Sequence, residues 1–258
     1  MSARAFATLL TALSGLGLVG VGPSILPVHA VENLPDLVPQ RPSEVDVAYT
    51  TSTVDPLAIV PGSFGPPRLL RFTSAVWNRG SRPLDILGTP RADPGAEPLS
   101  LAASQCVQWS VVHCAQRHAA GSLRWHGAHR HWHFEAFELY ELRRLRADGL
   151  PDFSGAGLVG AGQKASFCLE DSESDDQALP TYQTCSGVLQ GISPGWADVY
   201  GLSLPGQSLV IDDVPDGRYA LVFTVDPDQR LVEADRRNNV AYSVVELFDH
   251  GTAARVLP

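Results

Sequence analysis

The chain has 258 residues and a formal net charge of −9, with 23 glycines and 20 prolines along its length. An acidic balance of this size disfavours nucleic acid and anionic membrane surfaces as partners and suits a cationic one. The length is enough for one sizeable domain with its own core.

The amino-terminal 30 residues carry a single charge, Arg4, then the apolar run Ala5 to Val21, and end in Val28-His29-Ala30. These are the parts of a secretory signal peptide. The apolar run is too short and glycine-rich for a spanning helix, which needs about 20 consecutive apolar residues. Residues 1–30 are therefore expected to be a leader and residues 31–258 a single secreted domain with no stable membrane anchor, bound for the medium, cell wall or periplasm. Loss of Arg4 takes the charge from −9 to −10. Four cysteines, at 106, 114, 168 and 185, fit two disulfides in an exported chain. Three connectivities are open, and short loops favour Cys106–Cys114 with Cys168–Cys185.

Apolar residues beyond the leader come in short runs bounded by turn residues, which predicts a mainly β fold, a single β-sandwich-like domain with long loops and little helix. In chain order the expected strands run from Leu69 to Trp77, Trp132 to Leu142, Gly217 to Val225 and Asn239 to Leu247. Asp226-Pro227-Asp228 ends the third with a turn. The stretch from Glu170 to Gln183 holds five acidic residues and reads as a solvated loop. Tyr219, inside a strand pattern, is expected to be plain sheet.

Four of the eight histidines fall within Trp125-His-Gly-Ala-His-Arg-His-Trp-His133. In an extended strand, alternation puts His129, His131 and His133 on one face, with Arg130, Trp132 and Phe134 on the other. The outer two α-carbons would stand roughly 13 Å apart in a straight strand, so three imidazoles can share an ion only if the strand bends, as at a bulge. The apolar phase shifts after Ala136, where Phe137 and Leu139 take over from Trp132 and Phe134. Three imidazoles without a thiolate suit copper, zinc, iron or nickel, and the affinity order favours copper(II). His126 breaks the alternation and is expected either beside the ligands or on the substrate side, with a plain structural role as an equal alternative. A solvated histidine run is the plain alternative.

Three blocks together resemble the lysyl oxidase family. Trp125, His126, His129, His131 and His133 match its copper motif, with Ala128 where animal enzymes have cysteine. Gly162-Gln-Lys-Ala-Ser-Phe-Cys-Leu-Glu-Asp171 is similar to its lysine-bearing segment, and Gly191-Ile-Ser-Pro-Gly-Trp-Ala-Asp-Val-Tyr-Gly201 to its tyrosine segment. Weaker matches at Leu34-Pro-Asp-Leu-Val38 and from Val225 to Val240 extend the likeness over nearly the whole mature chain. Trp196 and Gly206 also stand where animal enzymes have cysteines. That joint absence fits the loss of one complete disulfide, and with Ala128 in place of cysteine the resemblance implies that Cys185 lacks its usual partner and turns to Cys168.

The resemblance implies a copper ion on His129, His131 and His133, and a lysine tyrosylquinone made from Lys164 and Tyr200. Lys164 is the single lysine among 19 basic residues. It implies oxidative deamination of primary amines, free or in lysine-containing peptides and proteins, to aldehydes, with molecular oxygen reduced to hydrogen peroxide and ammonia released. Such chemistry needs a general base. Asp198, two residues before Tyr200 and on its face of a strand, is the candidate, with Asp212 and Asp213 as rivals. A non-catalytic secreted copper-binding β-domain is the competing reading, and a zinc hydrolase ranks below it because no general-base motif accompanies the histidines.

Overall fold

The computed structural model describes residues 33–49, 66–90, 99–127, 130–160, 162–176 and 178–258. The proposed leader, Ala128 and His129 lie outside the described residues. Fifteen strands account for most of the rest: β1 Leu37–Pro39, β2 Ser43–Tyr49, β3 Arg68–Asn78, β4 Leu84–Pro90, β5 Ser100–Trp109, β6 Cys114–His126, β7 His131–Arg144, β8 Gln163–Phe167, β9 Glu173–Ser174, β10 Leu189–Ile192, β11 Trp196–Tyr200, β12 Ser208–Val210, β13 Gly217–Val225, β14 Val240–Phe248 and β15 Ala253–Val256. The four strands expected from the sequence are β3, β7, β13 and β14, displaced by at most two residues at an end. No helix of the described residues is long and apolar enough to cross a membrane.

The strands form two antiparallel sheets. The larger runs β10-β4-β5-β6-β7-β13-β14-β15, with β8 also on β7; the smaller runs β1-β3-β11-β9, with β2 and β12 also on β3. Alternation supplies the core between them. Phe72 and Val76 come from β3, Tyr140 and Leu142 from β7, and Leu221, Phe223 and Val225 from β13. Tyr140 sits at the centre, edge-on to Phe72 at 4.6 Å and 5.3 Å from Phe223 between ring centroids. Tyr219 is buried beside this core, its hydroxyl donating to the Pro215 carbonyl.

Buried polar links close the ends. Glu233 accepts from the Leu37 amide and from Asn239, tying β1 to the segment before β14. Gln105 exchanges hydrogen bonds with both backbone groups of Val232. Asp226 accepts from the Arg230 and Leu231 amides, which forms the turn expected after β13. Both favoured disulfides are present, Cys106–Cys114 and Cys168–Cys185.

Two expectations need correction. The strand does bend at Ala136, which takes a φ of 54°, but Leu139 does not join the core. Between Phe134↔Phe167 and Glu138↔Ala165, four steps of β7 are matched by two of β8. Two extra residues preserve the alternation, so Glu138, Tyr140 and Leu142 keep the inward face of Phe134, while Phe137 turns in at the irregularity. The segment after Glu170 is also not simply solvated. Asp171 is buried and accepts from the Thr181, Tyr182 and Ser193 amides and the Ser193 hydroxyl.

Phe223→Ala is expected to cost about 3–5 kcal/mol of unfolding free energy, the usual range for a fully buried phenylalanine. Val240→Thr, at an exposed position of β14, should stay within about 0.5 kcal/mol. Denaturant titration of both would check the placement of the core.

Candidate functional site

The histidines stand on a hairpin. Strand β6 pairs with β7 so that His126 opposes His131, Trp125 opposes Trp132 and Arg124 opposes His133. Cross-strand and diagonal neighbours on one face touch, and the His126 ring stacks on His133 at 4.7 Å and 10°. His131 Nε2 and His133 Nε2 approach to 2.8 Å. Two further contacts fix this strand from behind: the Trp132 amide donates to the Cys185 carbonyl, and the buried Gln190 side chain donates to the Trp132 carbonyl. Gln190 also accepts from the Leu169 amide, so one side chain joins the histidine strand to the segment following β8.

The two converging imidazoles fit a transition metal that takes nitrogen ligands. Nitrogen ligands about 2.0 Å from an ion on adjacent corners lie roughly 2.8 Å apart, which is the spacing of the two imidazoles. With a proton on one ring, the same approach is an N–H···N hydrogen bond. His129, the third expected ligand, lies outside the described residues.

A cavity of about 240 Å³ opens beside His131 and His133 and is bounded by Tyr200, Phe167, Glu170, Leu204, Pro205 and the Cys168–Cys185 disulfide. Tyr200 ends β11. Its ring packs on Phe167 at 3.9 Å, and its hydroxyl donates to the Cys168 carbonyl. Register with β3 sets Tyr200 opposite Ser74 and Asp198 opposite Val76. Asp198 shares the tyrosine's face of β11, as alternation required, but it is fully buried.

Neither carboxylate oxygen of Asp198 has a hydrogen-bond partner of good geometry. Burial pushes its pKa well up, the negative neighbours Glu138 and Glu170 push it further, and the closeness of Tyr200 and the Glu170 backbone offsets only part of this. Burial likewise raises the Tyr200 phenol, followed by the charges of Asp198, Glu138 and Glu170. Glu138 is the second sealed carboxyl. It accepts from the Tyr140 hydroxyl and lies 3.5 Å from Ser74 Oγ, while Ser74 and Gln207 also bond the Tyr140 oxygen. Burial raises it to about 8.

Lys164 is not brought to Tyr200. On β8, Ala165 and Phe167 are buried and Lys164 is exposed, so the lysine occupies the face opposite the one that packs on Tyr200. Its ammonium pairs with Asp228 at 2.5 Å, and Asp228 also bonds Arg230. The lysine's hydrogen bond is the main reason that the Asp228 carboxyl falls below its ordinary range. Asp212 and Asp213, the rival bases, line a separate pocket around Arg68.

Sequence reasoning missed Glu138, Gln190 and the cavity role of Glu170. A glutamate between Phe137 and Leu139 inside a buried strand was the available signal for the first. Nothing local marked Gln190, whose links to Trp132 and Leu169 join distant parts of the chain.

A mainly β two-sheet domain with a histidine-lined cavity beside a half-buried tyrosine narrows the class, and sequence comparison defines it. The lysyl oxidase family model matches residues 104–256, which is more than half of the chain, and the protein belongs to that family. It is 35% identical over 130 residues to protein-lysine 6-oxidase of Gallus gallus, covering 50% of this chain and 29% of that protein. It is 37% identical over 117 residues to lysyl oxidase homolog 2 of Gallus gallus, covering 45% and 14%. With lysyl oxidase homolog 1 of Homo sapiens it is 38% identical over 117 residues, covering 45% and 19%. The match spans less than a third of the length of each of these relatives.

Glu138→Gln should change how stability depends on pH. With a folded-state pKa of about 8 against an ordinary 4.5, the native state keeps a proton that the unfolded chain releases, so stability falls as pH rises from about 4.5 through 8. The variant cannot ionise there, and its midpoint of thermal unfolding should gain on the parent between pH 5 and pH 8. An unchanged difference across that range would argue against a buried, protonated Glu138.

Proposed function

We propose that the protein is a secreted, copper-dependent amine oxidase that converts primary amines, free or as peptidyl lysine, to aldehydes, reducing molecular oxygen to hydrogen peroxide and releasing ammonia. The observation that carries this reading is the convergence of His131, His133 and Tyr200 on one cavity, inside the segment matched by the family model. His129, His131 and His133 would hold the copper ion. Copper would promote oxidation of the Tyr200 ring by molecular oxygen, and the lysine tyrosylquinone completed by Lys164 would supply an electrophilic carbonyl for the amine.

The chain's own groups divide the remaining work. Phe167 and the Cys168 carbonyl orient the Tyr200 ring. Asp198, beside that ring and shielded from water, is the proposed acceptor of the proton from the carbon next to nitrogen. Burial raises its pKa, so it would act as base only after giving up the proton it holds in the resting chain. Lys164 has to leave Asp228 and cross β8 to meet Tyr200. An exposed ion pair of this type is worth about 0–1 kcal/mol, so releasing the lysine from Asp228 is cheap.

One observation favours a second reading, a copper-binding β-domain without catalysis: Lys164 is held on the outer face by Asp228. The two readings separate on variants. In copper-loaded protein, Lys164→Arg and Tyr200→Phe should each reduce amine-dependent peroxide formation to background while copper stoichiometry stays unchanged. His133→Ala should lower copper affinity by more than the roughly tenfold that loss of a residue supporting a ligand costs. Equal peroxide output from the parent and both cofactor variants would favour the binding domain.

A further inference from the structure

We propose that Glu170 is the cation-recognising residue of the cavity, and that the cavity accepts a slender primary alkylammonium group. This rests on the amine oxidase reading and adds to it the group that selects the substrate. Glu170 is the one carboxylate among the described residues that bound the cavity. Asp198 is sealed behind Tyr200 with no solvent exposure, so an incoming ammonium meets Glu170 first.

The remaining wall suits an alkyl chain. Phe167, Leu204, Pro205 and the Tyr200 ring are apolar surfaces around a single negative group. A carboxylate at the edge of such a surface binds a cation more strongly than it would in open water, because the low-dielectric walls reduce screening. The volume of about 240 Å³ leaves room for an unbranched alkyl chain. The Glu170 carboxylate lies within 4.8 Å of the Cys168 and Cys185 sulfurs. That places it on the disulfide side of the cavity, and the disulfide sulfurs, already bonded to one another, leave it to act as a lone carboxylate rather than as part of a thiolate metal site.

The neighbouring backbone gives this side chain a fixed base. Leu169, just before it, donates its amide to Gln190, and Asp171, just after it, anchors four donors from two other segments. Glu170 is therefore half-buried on a tethered segment, where a free loop would let it swing into solvent.

The test uses the full chain prepared without copper, in which no quinone can form and n-butylammonium cannot be oxidised. Binding of n-butylammonium and of the neutral butan-1-ol is followed at pH 8 by amide chemical shifts, with the site located by changes at Phe167 and Leu204. The parent should prefer the cation by ~10-fold or more, the usual gain from a hydrogen bond to a charged partner. Glu170→Gln should bind both probes alike, and Glu170→Asp should retain part of the preference. Copper affinity of Glu170→Gln should match the parent. A cation preference that survives Glu170→Gln, or a loss of copper binding in that variant, would overturn the assignment, the second by making Glu170 a metal ligand. Because the readout precedes cofactor formation, failure of the quinone reading would leave this result standing on its own.

Discussion

The pairing of β7 with its two neighbours is the constraint on which the site depends. Against β6 it sets His126, His131 and His133 on one face of a hairpin. Against β8 it absorbs two extra residues at Ala136 without changing the alternation. The same strand therefore presents imidazoles at one end and Glu138, Tyr140 and Leu142 to the core further along. A one-residue irregularity would have turned Tyr140 out of the core and removed the polar contacts made by its hydroxyl. Gln190, bonded to the strand on one side and to Leu169 on the other, carries that placement across to the segment that bounds the cavity.

The interior holds several buried carboxyl groups, among them Asp85, Glu138, Asp171 and Asp198. Glu138 and Asp198 are both fully buried, and no arginine or lysine among the described residues neutralises either. Burial of a charge without a partner is costly, and such groups respond by holding a proton. Tyr200 thus sits among groups that keep its phenol protonated in the folded chain. Any oxidation of that ring has to draw its proton away first, which a positive ion at the nearby imidazoles would favour. On the outer surface the acidic residues have ordinary partners, as in the Asp228 pairs with Lys164 and Arg230.

Much of this was legible in the sequence. Periodicity and turn residues located β3, β7, β13 and β14, because each is a strand with one strongly apolar face and clear breakers at its ends. Loop length favoured the disulfide pairing that is present. Alternation placed His131 with His133 and Asp198 with Tyr200, since both relations are local. Contacts between distant segments were not legible: Gln190 with Trp132, Asp171 with Ser193, and Glu138 with Ser74. The exposed position of Lys164 was open to sequence reasoning through the buried Ala165 and Phe167, but the motif alone says nothing about which face of β8 packs on Tyr200.

The central claim is that Lys164 and Tyr200, held on opposite sides of β8, become one cofactor. The most direct measurement is mass spectrometry of copper-loaded, aerated protein after digestion, following the peptides that carry the two residues. The account predicts a single covalently joined species containing both peptides, absent when copper is withheld. Separate, unmodified peptides in fully copper-loaded protein would contradict it and leave a copper-binding domain in place of an oxidase.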